Sequence, residues 1–383
     1  MTATPRRLKF RSTAATATTF LMTFIAVPMN APAQAPTSPA QAPAPPGGVT
    51  AAPSPRGGPR GGSPPGMSVP KPGPAPLPIL PALASRDDAS FYAKSDVPHG
   101  KVEQATYKTQ AGQDKRMHVY LPPGYEKDAD ARYPVLYLNH GGGDDDAKWT
   151  STDPRNGGHA QFILDNLIAA GKAKAMIVVM PNTRGLATAD PPPAGSDDAC
   201  STEFLKDIIP YVESHYRAKP GRENRALAGL SMGGFVVMNI GLSHLDTFAE
   251  LYVYSSGYFA NKLEAFEERF KQVLSDPKTN QELLRVPLYT AEGETDIALL
   301  NGQRTLSIIN KYGVRNFWVL SSGGHDWNNW RRYLHQTAQI MFPAAPASAA
   351  PAPGGAEAQP APAPAPGAPL NPESTAPANG RRG

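Results

Sequence analysis

Gly229-Leu230-Ser231-Met232-Gly233-Gly234 joins a short apolar run, Ala226–Leu230, to a helical pattern over Gly234–Leu242. Read as strand, turn and helix, this is a G-x-S-x-G segment. Its strained turn lifts the Ser231 hydroxyl out of the sheet. Side chains two residues to either side would collide, which gives the glycines at 229 and 233 a steric reason. The amino end of the following helix adds a field that favours developing negative charge. The same letters arise by chance in ordinary tight turns, but the strand before and the helix after favour a nucleophile.

The pattern continues on both sides. Val102–Thr109 and Arg116–Leu121 alternate like a partly exposed antiparallel pair, with Gly112 between them. Val135–Leu138, Met176–Met180, Leu251–Tyr254 and Phe317–Leu320 are nearly all apolar, and Ala226–Leu230 and Val286–Thr290 complete the set. Such runs suit strands buried on both faces. Helical stretches lie between them: Gln161–Ala170, Glu203–Tyr216, Gly234–Leu242, Phe266–Leu274 and Ile297–Lys311. Pro210 is expected to kink the second of these. The alternation predicts an α/β fold, a mostly parallel sheet with helices on both faces. Its chemistry then belongs at the carboxyl ends of the strands.

A serine hydroxyl needs a base. Of eight histidines, His325 stands in Ser322-Gly323-Gly324-His325-Asp326-Trp327, just beyond the last predicted strand. His335 falls inside the terminal helix, and His99, His118, His159, His215 and His244 flank other elements. The base needs a carboxylate to fix its tautomer. Ala291-Glu292-Gly293-Glu294-Thr295-Asp296 offers three; Asp296 is favoured, with Glu292 its rival nearest the strand end. The order Ser231, Asp296, His325 follows. Asn139-His140-Gly141-Gly142-Gly143-Asp144 succeeds the strand Val135–Leu138. A backbone N–H of Gly141 or Gly142, with that of Met232, can face an oxyanion. His140 reads as structural. No metal site is expected: Asp144-Asp145-Asp146 lacks the downstream glutamate of a calcium loop. No cofactor is required.

The chain has 383 residues, with 43 prolines, 35 glycines and one cysteine. Residues 1–84 hold 19 prolines and residues 343–383 hold 11, leaving 13 for the middle. One globular domain over residues 85–342 is therefore expected between a linker at 34–84 and a tail at 343–383, both disordered and Pro/Ala-rich. Residues 1–84 carry seven Lys or Arg and no acid, so the net charge of +4 comes from that arm; the middle is at −3. Nucleic-acid binding loses its main argument. Arg6, Arg7, Lys9 and Arg11 precede the uncharged Ala14–Met29, then Ala31-Pro32-Ala33. This is the order of a signal peptide over residues 1–33, cut after Ala33, for a secreted or periplasmic protein. No other segment reads as transmembrane. Cys200 alone forms no internal disulfide, so the exported fold rests on its core.

Together these motifs resemble the esterase D-type family of α/β-hydrolases, which includes carbohydrate-esterase family 1 feruloyl and acetylxylan esterases. The resemblance runs from about Asp96 to Met341. It rests on Asp96-Val97-Pro98-His99-Gly100, Tyr120-Leu121-Pro122-Pro123-Gly124-Tyr125, Tyr133 to Gly141, Ala228 to Gly234, Gly293-Glu294-Thr295-Asp296 with Gly302-Gln303-Arg304, and Gly323 to Trp327. It implies an eight-stranded sheet with the second strand antiparallel, and a serine esterase using Ser231, Asp296 and His325. The implied substrate is a small ester or a feruloylated or acetylated saccharide. Relatives of similar sequence cleave siderophore esters or thioesters, or transfer acyl chains. Trp149, Trp327 and Trp330 lie near the motifs and either stack an aromatic acyl group or fill the core. Of these, Trp149 and Trp327 are the candidates for the substrate wall.

Overall fold

The computed structural model describes residues 78–280 and 284–343. The predicted signal peptide, the tail from residue 344 and most of the linker lie outside the described residues. One sheet contains β1 (Lys101–Lys108), β2 (Asp114–Leu121), β3 (Val135–Asn139), β4 (Ile177–Pro181), β5 (Arg225–Leu230), β6 (Glu250–Tyr254), β7 (Leu288–Gly293) and β8 (Asn316–Ser321). Their spatial order is β1-β2-β4-β3-β5-β6-β7-β8. β2 runs antiparallel to both β1 and β4, and every other pairing is parallel. The expected strand set, including the antiparallel second strand, is therefore present.

β7 begins and ends later than its apolar run, because Glu292 and Gly293 pair with Leu320 and Ser321 of β8. Hydrophobicity marks where a strand crosses the core, whereas pairing carries it on to the polar carboxyl edge.

The helices are α1 (Ala160–Ala169), α2 (Ala199–Glu203), α3 (Ile209–His215), α4 (Met232–Ser243), α5 (Leu263–Ser275), α6 (Leu299–Lys311) and α7 (Trp327–Ala338). Period-two alternation along the strands feeds two apolar clusters, one per face. Val135, Tyr137, Leu227 and Val253 join Val237 of α4 and Phe266 and Phe270 of α5. Leu136, Leu138, Ala228 and Tyr254 join Ile163 and Leu164 of α1 and Trp330 and Leu334 of α7. Where one helix kinked at Pro210 is expected, α2 and α3 are joined by a wide π turn over Phe204–Ile208. Pro210 has no N–H to give the carbonyl four residues earlier, and the ladder loosens in the turn just before it.

Residues 78–84, assigned to the linker on composition, lie against the domain. Leu80 and Leu83 pack on the second cluster. Gln336 donates to the Pro81 carbonyl and Arg332 to that of Ala84, each at 2.7 Å.

One buried carboxylate ties the first strands to α1. Asp165 accepts from the Gly100 N–H and the Tyr120 hydroxyl, each at 2.8 Å, and pairs with His99 Nδ1 at 2.8 Å. This accounts for His99-Gly100 as a motif that does no chemistry. Asp165→Ala leaves the Tyr120 hydroxyl and the Gly100 N–H without their acceptor, at a cost on the order of 3 kcal/mol. A urea midpoint unchanged from wild type would count against this role.

Candidate active site

Ser231 sits between β5 and α4 with φ 52° and ψ −116°, a conformation that L-residues rarely hold. The close packing around it explains both glycines. A Cβ at Gly229 would lie 2.3 Å from the Gly233 carbonyl oxygen, and one at Gly233 would lie 2.7 Å from the carbonyl oxygens of Asn139 and His140. The Ser231 N–H donates to the Tyr254 carbonyl at 2.9 Å, and the Ser231 carbonyl accepts from Gly234 at 2.9 Å. The backbone is thus held on both sides of the strained residue.

His325 lies in the loop from β8 to α7. Its Nε2 is 3.0 Å from Ser231 Oγ, and its Nδ1 is 2.8 Å from Asp296 Oδ1. Since a carboxylate accepts, Nδ1 carries the proton, and Nε2 is left to accept from the serine hydroxyl. Asp296 lies in the turn after β7. Its backbone N–H donates to the Gly293 carbonyl at 3.0 Å, and its Oδ1 also accepts from the Ala298 N–H at 2.8 Å. Burial alone would raise this carboxyl, but the hydrogen bonds from His325 and Ala298 outweigh it and hold its pKa below the ordinary aspartate value. Ser231, Asp296 and His325, expected together from the sequence, are brought together.

The rival carboxylate is elsewhere. Glu292 is buried on β7, where its Oε1 accepts from the Ser256 N–H at 2.9 Å. Burial, helped by the negative charge of Asp296, pushes its pKa up to about 9. It is therefore neutral near pH 7 and does not compete for the imidazole.

Arg86 braces the histidine loop. It donates to Asp326 at 2.6 Å and to Asn329 at 3.1 Å. Gly323, with φ 95°, lets it approach: a Cβ there would lie 2.0 Å from the guanidinium. Nothing near Arg86 in the sequence signals this role, because the contact spans some 240 residues.

A cleft of roughly 120 Å³ opens beside Ser231 and His325. Its apolar walls are Phe235 from α4, Phe259 from the loop before α5, and Ile297 from the turn before α6. Phe259 and Ile297 stand exposed at the mouth. Trp149 and Trp327, the sequence candidates for the substrate wall, are in the core and do not line it. Trp149 donates to the Asn139 carbonyl at 3.0 Å, and its ring packs edge-to-face on Trp327. Indoles of that size are worth most where they bury most. Trp330 is buried with its ring edge-to-face with His325. Met232 opens α4, so its N–H has no earlier helical carbonyl to serve. Gly141 and Gly142 pass close by: Cβ atoms there would lie 3.5 Å from Ser231 Cβ and 3.1 Å from Met232 Cγ. Among the described residues no group of three His, Cys, Asp or Glu side chains could hold a metal ion.

The architecture is that of the α/β-hydrolases, with a serine, a histidine and an aspartate gathered at the carboxyl edge of the sheet. The Esterase family profile matches residues 109–340, and the chain belongs to that family of carboxylic-ester hydrolases. It is 32% identical over 266 residues to an endo-1,4-beta-xylanase/feruloyl esterase of Xylanibacter ruminicola, a match covering 67% of this chain and 33% of that protein. It is 26% identical over 267 residues to endo-1,4-beta-xylanase Y of Acetivibrio thermocellus, covering 63% and 23%. The chain thus spans a third or less of these relatives. Among solved structures, a ferulic acid esterase superposes with a TM-score of 0.53 at 28% identity, covering 64% of this chain and 98% of that one. The feruloyl esterase module of Clostridium thermocellum shares the fold, with a TM-score of 0.56 at 24% identity over 69% and 95%.

The two carboxylates predict opposite mutational behaviour. The ordinary value for glutamate is near 4.5, against about 9 for folded Glu292. Between those values the native state keeps a proton that the unfolded chain has released, so stability falls as pH rises through that window. Glu292→Gln removes this dependence. Its urea midpoint should exceed that of wild type by a margin that widens from about pH 5 to about pH 9, with ester turnover retained. Asp296→Asn should lose turnover instead. Equal losses of turnover in both variants would overturn the division.

Proposed function

We propose that the protein is a secreted serine esterase that works through an acyl-enzyme, with feruloyl or acetyl esters of plant cell-wall carbohydrate as its substrates. The observation that carries this reading is the unbroken hydrogen-bond chain from Ser231 through His325 to Asp296. Ser231 Oγ attacks the ester carbonyl carbon as His325 Nε2 takes its proton. The carbonyl oxygen, now negative, accepts from the Met232 N–H and from an N–H of the Gly141–Gly142 pair. As the tetrahedral intermediate collapses, the imidazolium returns its proton to the leaving alcohol oxygen. Water then attacks the acyl-serine by the same route, and the acid departs. Asp296 keeps the imidazole in the required tautomer and offsets its transient positive charge.

The substrate class is supported by two independent features. Of the relatives that match most of the domain, one is named an endo-1,4-beta-xylanase/feruloyl esterase and another an endo-1,4-beta-xylanase. The cleft is walled by Phe235, Phe259 and Ile297, which suits a planar aromatic acyl chain better than a charged one. Export is supported by the basic, apolar, small-residue order of residues 1–33.

Ser231→Ala should lower hydrolysis of p-nitrophenyl acetate by at least about 10³-fold with an unchanged circular dichroism spectrum. Retained turnover would remove Ser231 from the reaction. With wild type, methyl ferulate should be hydrolysed at a higher kcat/KM than an S-acyl thioester under the same conditions; the reverse order would overturn the aromatic-ester assignment.

A further inference from the structure

The glycine loop after β3 contains a buried histidine that the reaction scheme leaves without a task. His140 is 4% exposed. Its Nδ1 lies 2.8 Å from the Gly141 carbonyl oxygen. Its Nε2 accepts from the Thr183 backbone N–H at 3.1 Å. These two contacts leave one choice of tautomer. A carbonyl only accepts and an amide N–H only donates, so Nδ1 is protonated and Nε2 is bare. Burial lowers the His140 pKa and so keeps the ring in the neutral form that this arrangement needs.

The consequence lies in the next peptide. A trans peptide directs its C=O and its N–H to opposite sides. The Gly141 oxygen is drawn toward the imidazole and also accepts from the Asp144 N–H at 3.3 Å. That bond closes a four-residue turn in which Gly143 has φ 81°. The Gly142 N–H must then face away from the imidazole. Gly142 lies beside Met232, the other candidate donor. The preceding peptide behaves differently. The His140 carbonyl faces Gly233 in the first turn of α4, which turns the Gly141 N–H away from that helix.

We propose that His140 is a positioning residue of the oxyanion pocket: by holding the Gly141 carbonyl it aims the Gly142 N–H, and not that of Gly141, at the ester oxygen. The assignment rests on the esterase reading of Ser231. Thr183, just beyond β4, fixes the tautomer, so two neighbouring strands cooperate to orient one peptide.

The test compares three substitutions. The Asn side chain can place an N–H near the position of Nδ1, whereas that of Gln can place an acceptor near Nε2 but offers Gly141 nothing. Kinetics with p-nitrophenyl acetate should show kcat reduced on the order of 10²-fold in His140→Ala and His140→Gln, with KM within threefold of wild type. The inhibition constant of a phenylboronate, whose serine adduct is tetrahedral, should rise by a similar factor. His140→Asn should recover at least tenfold over His140→Ala. His140→Gln within twofold of wild type, or an unchanged boronate constant, would overturn the proposal. So would an Asn variant as impaired as the Gln variant.

A measurement on wild type removes dependence on variants that fold poorly. In protein labelled with ¹⁵N-glycine and ¹⁵N-histidine, His140 should show a protonated Nδ1 and a bare Nε2. Phenylboronate should move the Gly142 amide proton downfield more than that of Gly141. The opposite tautomer, or a larger shift at Gly141, would overturn the assignment. Wild type without any ester turnover would overturn the esterase reading instead.

Discussion

Ser231 keeps its positive φ because no side chain stands at 229 or 233. A carbonyl oxygen occupies the space that a Cβ at either position would need. Strain of this kind persists only where the surroundings over-determine it. Here β5 and the all-round buried α4 supply the restraint, with the Tyr254 carbonyl of β6 holding the serine N–H. The sheet core is therefore not a passive support. It fixes the position and direction of one hydroxyl, and the histidine, the aspartate and the glycine loop are all measured from that point.

Three carboxylates near this point have three different sets of partners. Asp296 is ionised because donors outweigh its burial. Glu292 is neutral because burial, helped by the negative charge of Asp296, outweighs the one backbone N–H it accepts. Asp326 is paired with Arg86 and caps α7 through the Asn329 N–H. An ionised Glu292 would place a second negative charge near Asp296. Local hydrogen bonding separates their roles without any metal or cofactor being invoked.

Much of this was legible in the sequence, and the exceptions share a cause. Apolar runs found six strands and alternation found β1 and β2; the buried strands β3 to β7 leave no other composition available, whereas β8 is only half-buried although its run is apolar. G-x-S-x-G, the glycine loop and the Gly-Gly-His stretch were legible because each needs glycine, for room at Gly229 and Gly233 and for a positive φ at Gly143 and Gly323. Asp296 and Glu292 were distinguishable only by their distance from the strand end, and the late end of β7 shows how narrow that margin was. Trp149 and Trp327 misled because nearness in sequence to a motif says nothing about which face of the sheet a side chain meets. Leu80 and Leu83 were hidden because they come from a proline-rich approach whose composition argues for disorder, and Arg86, inside the expected domain, because its partners Asp326 and Asn329 lie some 240 residues away.

The division between chemistry and selectivity follows from the same geometry. Every group assigned a part in bond breaking sits within a few residues of a strand end or a helix start, where the sheet limits its movement. Ile297 directly follows Asp296 in the same turn and Phe259 lies on the loop before α5, but both side chains are exposed to water at the cleft mouth. Loops of this kind can change shape or residue without disturbing the core. A single scaffold can therefore keep one hydroxyl and one imidazole in place while exposed side chains at the cleft mouth are exchanged. On the proposed reading, the chemistry of the ester bond belongs to the carboxyl edge of the sheet, and the choice of acid rests on Phe259 and Ile297 together with Phe235 of α4.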